Sequence, residues 1–234
     1  MFISAKRRTR YRVISLIILV IFLWLNWSQN TNVQPNATEI QAWQSLFSTE
    51  SGAFSIFFFG PVIATIFIVF ELSNRNSYLV YYRTSRRSML HQSEKQLLFD
   101  AILFSTTYVL FGSILNQLFM GKGIFEWSFG LLLVITIINT TLFLSFLGEI
   151  SRILMVFYRD YLVLVMLICA NILLSIAARF FHFWIPLFEI NLFSNFFAGH
   201  LTILIVIRSF SRLLLCFLVS LLIARKCLHW EDIL

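Results

Sequence analysis

Residues 127–147 read WSFGLLLVITIINTTLFLSFL, a run without a single charged side chain. A helix of this length covers roughly 30 Å, which is the thickness of the hydrocarbon core of a bilayer. The apolar residues are not confined to one stripe, so the run lacks the amphipathic pattern of a surface helix in a water-soluble protein. This stretch therefore predicts a transmembrane helix.

Five further apolar blocks, most of them about 18–25 residues long, repeat this pattern along the chain. They predict helices over about 13–27, 52–72, 97–119, 161–181 and 203–224. The helix over 97–119 is expected to extend back to residue 86. Only 12% of the residues are charged and 59% are hydrophobic, whereas a soluble domain carries about a quarter of charged residues. We predict an all-α integral membrane protein, with one transmembrane domain over 1–234 and about six spans.

The basic residues predict how the chain is oriented. Their excess gives a net charge of +7, but they cluster in short stretches beside the apolar blocks, so a nucleic-acid partner is not expected. Five precede the first block and five lie within 73–96, whereas the polar segment 28–51 has none. The sequence thus predicts a multi-pass protein of the cytoplasmic membrane with both termini in the cytoplasm.

Sequence motifs for catalysis and metal binding are missing. The four histidines and three cysteines are scattered, without the spacing of a zinc or haem site. The chain contains no phosphate-binding Gly-x-x-x-x-Gly-Lys-Ser/Thr loop, no Gly-x-Ser-x-Gly and no His-Glu-x-x-His. We therefore expect no catalytic residue, no metal and no cofactor in this chain, and do not expect an enzyme.

The cytoplasmic segment 73–96 carries the main functional signal. It follows Glu71 and contains a short aromatic piece, 77–83, which is too short to span a bilayer. The hydroxyl of Thr84 or of Ser85 can cap the helix that begins there. From 86 to 118 that helix measures roughly 50 Å, so it should project from the membrane beside the aromatic piece. A docking surface has this shape.

The order of residues in this segment resembles that in permease subunits of ATP-binding-cassette exporters of the bacterial polysaccharide, drug and bacteriocin-immunity type. In that family a glutamate ends the second helix, a short coupling helix follows, and a Ser-Arg pair opens the third helix with a lysine one or two turns later. Here an aromatic run replaces the family's glycine and Leu-Leu-x-x-Pro. The resemblance implies an ATPase-coupling role for Glu71, Tyr78, Tyr81, Tyr82, Arg83, Ser85, Arg86 and Lys95.

The resemblance also implies a function. The chain would be an exporter permease for amphipathic peptides or lipid-like molecules, paired with a second copy or a related permease. Separate ATP-binding-cassette ATPase subunits would bind ATP and Mg. The sequence leaves an alternative open, a stand-alone membrane immunity or assembly factor that binds a partner without ATP coupling. In that case 73–96 is only a topology signal.

Charged residues within the apolar blocks are costly and need a reason. Arg208 and Arg212 lie one turn apart on the sixth predicted helix, and Arg179 reaches a similar height on the fifth. One hypothesis is an outer-leaflet patch that contacts a substrate carboxylate or a membrane lipid. The alternative is snorkelling, or ion pairs with Glu126 or Glu189.

Polar residues inside the spans have two interpretations. Asn139 and Thr140 in the fourth predicted helix and Asn171 in the fifth could line a transport path. Hydrogen bonds between helices would explain them equally well. Asp100, near the cytoplasmic end of the third helix, is expected either to snorkel or to pair with Lys95.

Overall fold

The described part of the chain is helical apart from short connections. The structure, a computed structural model, describes residues 3–33, 60–74, 86–120, 127–181, 183–190, 192 and 200–230. Its helices are α1 (Ile3–Val33), α2 (Gly60–Asn74), α3 (Arg86–Met120), α4 (Trp127–Phe157), α5 (Asp160–Phe181) and α6 (Ile203–Trp230), with a 3-10 turn (Pro186–Glu189) before α6. No strand occurs in these ranges, and the all-α prediction is confirmed.

Four of the helices are long and apolar enough to cross a membrane. The apolar parts are Ser93–Leu115 in α3, Gly130–Phe157 in α4, Asp160–Ala178 in α5 and Ile203–Cys227 in α6. A shorter apolar stretch, Arg12–Leu25, lies in α1. Residues 52–59, the first part of the second predicted span, are outside the described ranges. The fold is thus that of a membrane protein with several candidate spans, and the number six stays a prediction.

Three helices extend past their predicted ends. The sequence predicts that α4 ends near residue 147, but α4 continues to Phe157. The reason is that Glu149 and Arg152, whose charges suggested the end of a span, form an ion pair within the bundle. The helices α1 and α6 likewise continue into polar sequence beyond 13–27 and 203–224, since backbone hydrogen bonding does not stop where the apolar residues do.

Side-chain contacts show the relative directions of the best-packed helices. Ser105 of α3 bonds to Thr141 of α4. A Cβ atom on Gly148 of α4 would meet Leu97 of α3. Positions therefore rise along one helix as they fall along the other, so α3 and α4 are antiparallel. The helix is interrupted at Tyr158 and Arg159, between α4 and α5, and the amides of Leu162 and Val163 donate to the carbonyl of Arg159.

Helix α4 is the centre of the bundle, because it contacts α2, α3, α5, α6 and the 3-10 turn. The core takes side chains from all six helices. Its largest fully buried members include Leu19, Phe67, Leu97, Tyr108, Leu132, Leu144 and Leu213. Phe67 and Phe104 pack edge to face with their ring centroids 5.6 Å apart, an arrangement that aromatic rings favour.

The distribution of polar and apolar groups is the reverse of that in a soluble protein. Polar residues such as Ser105, Asn139 and Glu149 are buried, while α5 and α6 expose large apolar side chains. Ile203 and Phe180, for example, are 81% and 78% exposed. Apolar faces of this size call for a non-aqueous environment. A bilayer provides one for helices of this length.

Candidate functional site

Six charged residues lie at one end of the helix bundle and together form what we call the ionic layer. They are Arg12, Glu94, Asp100, Glu149, Arg152 and Arg225. Three are cations and three are anions, so the layer is balanced in charge. Each of its carboxylates is buried, and a buried carboxylate requires a paired cation.

The strongest contact in the ionic layer joins α3 to α6. Arg225 donates from Nε to Oε1 and from Nη2 to Oε2 of Glu94, both at 2.8 Å. Two parallel charge-assisted hydrogen bonds of this kind fix orientation as well as distance. Arg225 is half-exposed, whereas the Glu94 side chain is 11% exposed.

Two further contacts join α3 to α4 and to α1. Arg152 of α4 donates to Glu149 Oε1 at 3.2 Å and to the carbonyl of Ser93 at 2.9 Å. Arg12 of α1 approaches Asp100 Oδ1 to 2.6 Å, which corrects the expectation that Asp100 snorkels or pairs with Lys95. The end of α3 that the sequence predicts to be cytoplasmic is therefore joined to three other helices, α1, α4 and α6.

A second polar group, which we call the turn cluster, surrounds Glu189 in the 3-10 turn. Glu189 is 7% exposed. Its Oε1 accepts hydrogen bonds from Trp184 Nε1 at 2.6 Å and from Arg212 Nη1 at 2.8 Å. The Arg212 guanidinium also lies over the Trp184 ring, 5.4 Å from its centroid, so the cation is held both by the carboxylate and by the indole face.

The backbone of this turn is held inside the bundle by two helices. The carbonyl of Glu189 accepts hydrogen bonds from Asn139 Nδ2 of α4 at 3.0 Å and from Ser209 Oγ of α6 at 2.9 Å. Asn139 also donates to Ser209 Oγ at 3.0 Å. Asn139 lies about 18 Å along α4 from Trp127. Non-helical backbone at such a depth needs partners from the protein, and these side chains provide them.

The two clusters lie at different levels of the bundle. From Ser209 to Arg225 α6 rises about 24 Å, and from Asn139 to Arg152 α4 rises about 20 Å. Since both helices pass from the turn cluster to the ionic layer as residue number increases, α4 and α6 are parallel. The polar groups are thus separated by somewhat less than the thickness of a hydrocarbon core.

The residues predicted to line a path have different environments. Asn139 and Thr140 are buried, and Asn171 is half-buried. Asn139 forms the interhelical hydrogen bonds that were the alternative interpretation. Asn139 Oδ1 and Thr140 Oγ1, as well as Ser145 Oγ, are buried without a hydrogen-bond partner in the described parts of the chain. Buried polar atoms of α4 therefore extend from the turn cluster towards the ionic layer.

Most of the predicted ATPase-coupling residues fall between α2 and α3. Tyr78, Tyr81, Tyr82, Arg83 and Ser85 lie outside the described residues. Glu71 lies in α2 and Arg86 begins α3. Lys95 also lies in α3 and is exposed. The prediction that a helix starts directly after Ser85 agrees with the start of α3 at Arg86.

The sequence predicted a patch of three arginines, Arg179, Arg208 and Arg212. The structure describes the side chains of Arg208 and Arg212. Arg212 pairs with Glu189, one of the two counter-ions considered from the sequence; the other, Glu126, is outside the described residues. Arg208 is exposed one turn from Arg212, and Arg179 is described only as part of α5. The Glu94–Arg225 pair and the role of Trp184 were not predicted from the sequence. The pair could have been suggested by its two opposite charges, which lie near the ends of predicted spans.

Comparisons with known proteins give no family assignment: no protein-family model, no curated protein and no solved structure matches this chain. Within the ranges that the structure covers, no group of three His, Cys, Asp or Glu residues is placed to hold a metal ion. The arrangement consists of ion pairs that join helices and a 3-10 turn whose backbone is bonded to two of them.

Proposed function

We propose that this chain is the membrane-spanning permease subunit of an ATP-driven exporter. In this proposal six helices cross the cytoplasmic membrane and both termini lie in the cytoplasm. Separate ATP-binding-cassette ATPase subunits bind ATP and Mg and dock on residues 73–96. A second copy or a related permease completes the transporter, whose cargo is an amphipathic peptide or a lipid-like molecule.

The length of α3 is the observation that carries the proposal. The helix is continuous from Arg86 to Met120, about 52 Å, and its apolar part begins only at Ser93. A hydrocarbon core of about 30 Å cannot contain all of it. Its first two turns therefore extend past the apolar zone, next to the segment that the family resemblance assigns to coupling.

The ionic layer adds a physical reason why this end suits coupling. Glu94 ties α3 to α6, Asp100 ties it to α1, and the carbonyl of Ser93 ties it to α4. A displacement applied to the start of α3 would therefore move four helices together. A permease needs such a link, since its helices must respond to ATPase closure at a distance from the nucleotide.

Co-purification tests the proposal. The tagged chain is extracted from native membranes in mild detergent, and bound proteins are identified by mass spectrometry. We expect an ATP-binding-cassette ATPase in stoichiometric amount. A variant with Tyr78, Tyr81 and Tyr82 changed to alanine should lose most of it. The matched control changes Tyr158 and Tyr161, two exposed tyrosines at the same end of the bundle, to alanine and should retain it.

The outcomes separate the two functions considered from the sequence. Loss of the ATPase in the first variant alone supports docking on 73–96. Equal binding by both variants contradicts that location. If no ATPase accompanies the wild-type chain under conditions that preserve a known exporter, the permease function is wrong, and a stand-alone immunity or assembly factor becomes the better account.

A further inference from the structure

One cation in the apolar part of α6, Arg208, has no counter-ion among the described residues. Arg208 is exposed within the candidate span Ile203–Cys227, and no described residue forms an ion pair with it. Its neighbour Arg212 is neutralised by Glu189. Within the part of the chain that the structure describes, the patch formed by Trp184, Arg208, Ser211 and Arg212 therefore carries one positive charge that no carboxylate offsets, and such a charge costs a few kcal/mol at membrane depth.

The depth of Arg208 places this charge near a bilayer surface. Along α6, Arg208 is about 26 Å from Arg225 of the ionic layer and about 8 Å from the start of the candidate span at Ile203. Helical side chains lean towards the N-terminus of their helix. For α6 this direction leads away from Arg225, so the guanidinium of Arg208 points to the headgroup region.

The surroundings of Arg208 match a phospholipid rather than a soluble anion. Leu204, Leu215 and Leu222 follow the same exposed face of the helix and are at least 60% exposed, which suits acyl chains. Ser211, between them, offers an exposed hydroxyl. Arg212 is 43% exposed, and because one guanidinium has five N–H donors, the bond to Glu189 leaves it able to donate to a second anion.

We infer that Arg208, assisted by Ser211 and Arg212, binds the phosphate of an anionic phospholipid in the leaflet at this end of the bundle. The phosphodiester supplies the missing negative charge, and a guanidinium binds its oxygens in bidentate fashion. Trp184 and Glu189 hold Arg212 in place, so one of the two guanidinium groups of the site has a fixed position. The inference needs only a membrane-embedded α6 and is independent of the exporter proposal.

Lipid titration of the purified, delipidated chain tests the inference, with native mass spectrometry as the readout. We expect phosphatidylglycerol to bind more tightly than phosphatidylcholine. Arg208→Gln should weaken phosphatidylglycerol binding about tenfold or more, the size expected for a charged hydrogen bond. Arg208→Lys keeps the charge and should recover part of the affinity. Lys226→Gln, which removes an exposed cation at the other end of α6, should leave it unchanged.

Three results would overturn the inference. Wild-type affinity in Arg208→Gln would show that this residue does not hold the lipid. An equal loss in Lys226→Gln would indicate a general effect of net charge. Displacement of phosphatidylglycerol by an equimolar amount of inorganic phosphate would show a site for a free anion. Circular dichroism of each variant verifies that the helices are intact, which is expected because Arg208 lies on the exposed surface.

Discussion

At the scale of single residues, α3 and α4 make a close contact at Gly148. A Cβ atom there would lie against the side chain of Leu97, with Cδ2 at 3.1 Å. Leu97 is fully buried in the α3–α4 interface and has little room to change rotamer. Small residues at such positions allow membrane helices to approach closely.

Gly148→Ala should therefore destabilise the bundle by about 1–3 kcal/mol, the usual cost of overpacking. Gly130→Ala is the matched control, since a Cβ there meets nothing within 4 Å, and it should stabilise the same helix by about 0.5–1 kcal/mol. Unfolding in a graded mixture of mild and denaturing detergent measures both. A Gly148→Ala protein as stable as Gly130→Ala would show that α3 and α4 are not this close.

Which charged residues form ion pairs with each other was only partly predictable from the sequence. Glu189 could be predicted as a partner of Arg212 because few acidic residues lie near that end of the chain. Asp100 was misjudged, since Lys95 is near in sequence but roughly 140° away around the helix. Lys95 is exposed, whereas Asp100 is buried and paired with Arg12. A partner on another helix cannot be identified from one sequence.

At the scale of helices, α3 owes its connection to α6 to the Glu94–Arg225 pair. Glu94→Gln and Arg225→Gln should each lower stability, and the double variant should lose less than their sum. We expect a coupling energy of about 0.5–1 kcal/mol, because Arg225 is half-exposed and partly screened. Detergent unfolding of the four proteins completes the double-mutant cycle. Lys95 is exposed beside Glu94, so Lys95→Gln is the control. It should show no coupling energy with Arg225→Gln.

The presence of the helices was predictable, but not all their ends were. A bilayer demands apolar runs of a fixed length, and these runs stand out in the sequence. The end of α4 was misplaced because Glu149 and Arg152 look like membrane-exit charges until their pairing is seen. The turn before α6 could not be placed inside the bundle from the sequence alone. Its insertion depends on Asn139 and Ser209, which are distant in sequence.

At the scale of the whole molecule, two polar groups enclose an apolar zone. The ionic layer ties four helices together at one level, and the turn cluster joins α4, α6 and the 3-10 turn at another. The exporter proposal requires the ionic layer to face the cytoplasm beside residues 73–96. The lipid site requires only that α6 crosses the bilayer.

Thiol labelling of α6 in intact cells is the most direct test of this arrangement. Cys169→Ala and Cys216→Ala leave Cys227 as the single native thiol, and His200→Cys adds an exposed position at the other end of α6. We expect a membrane-impermeant maleimide to label His200→Cys from outside and to reach Cys227 only after permeabilisation. Labelling of both positions from the same side would show that α6 does not cross the membrane, and labelling of Cys227 alone from outside would place the ionic layer on the wrong face for ATPase coupling.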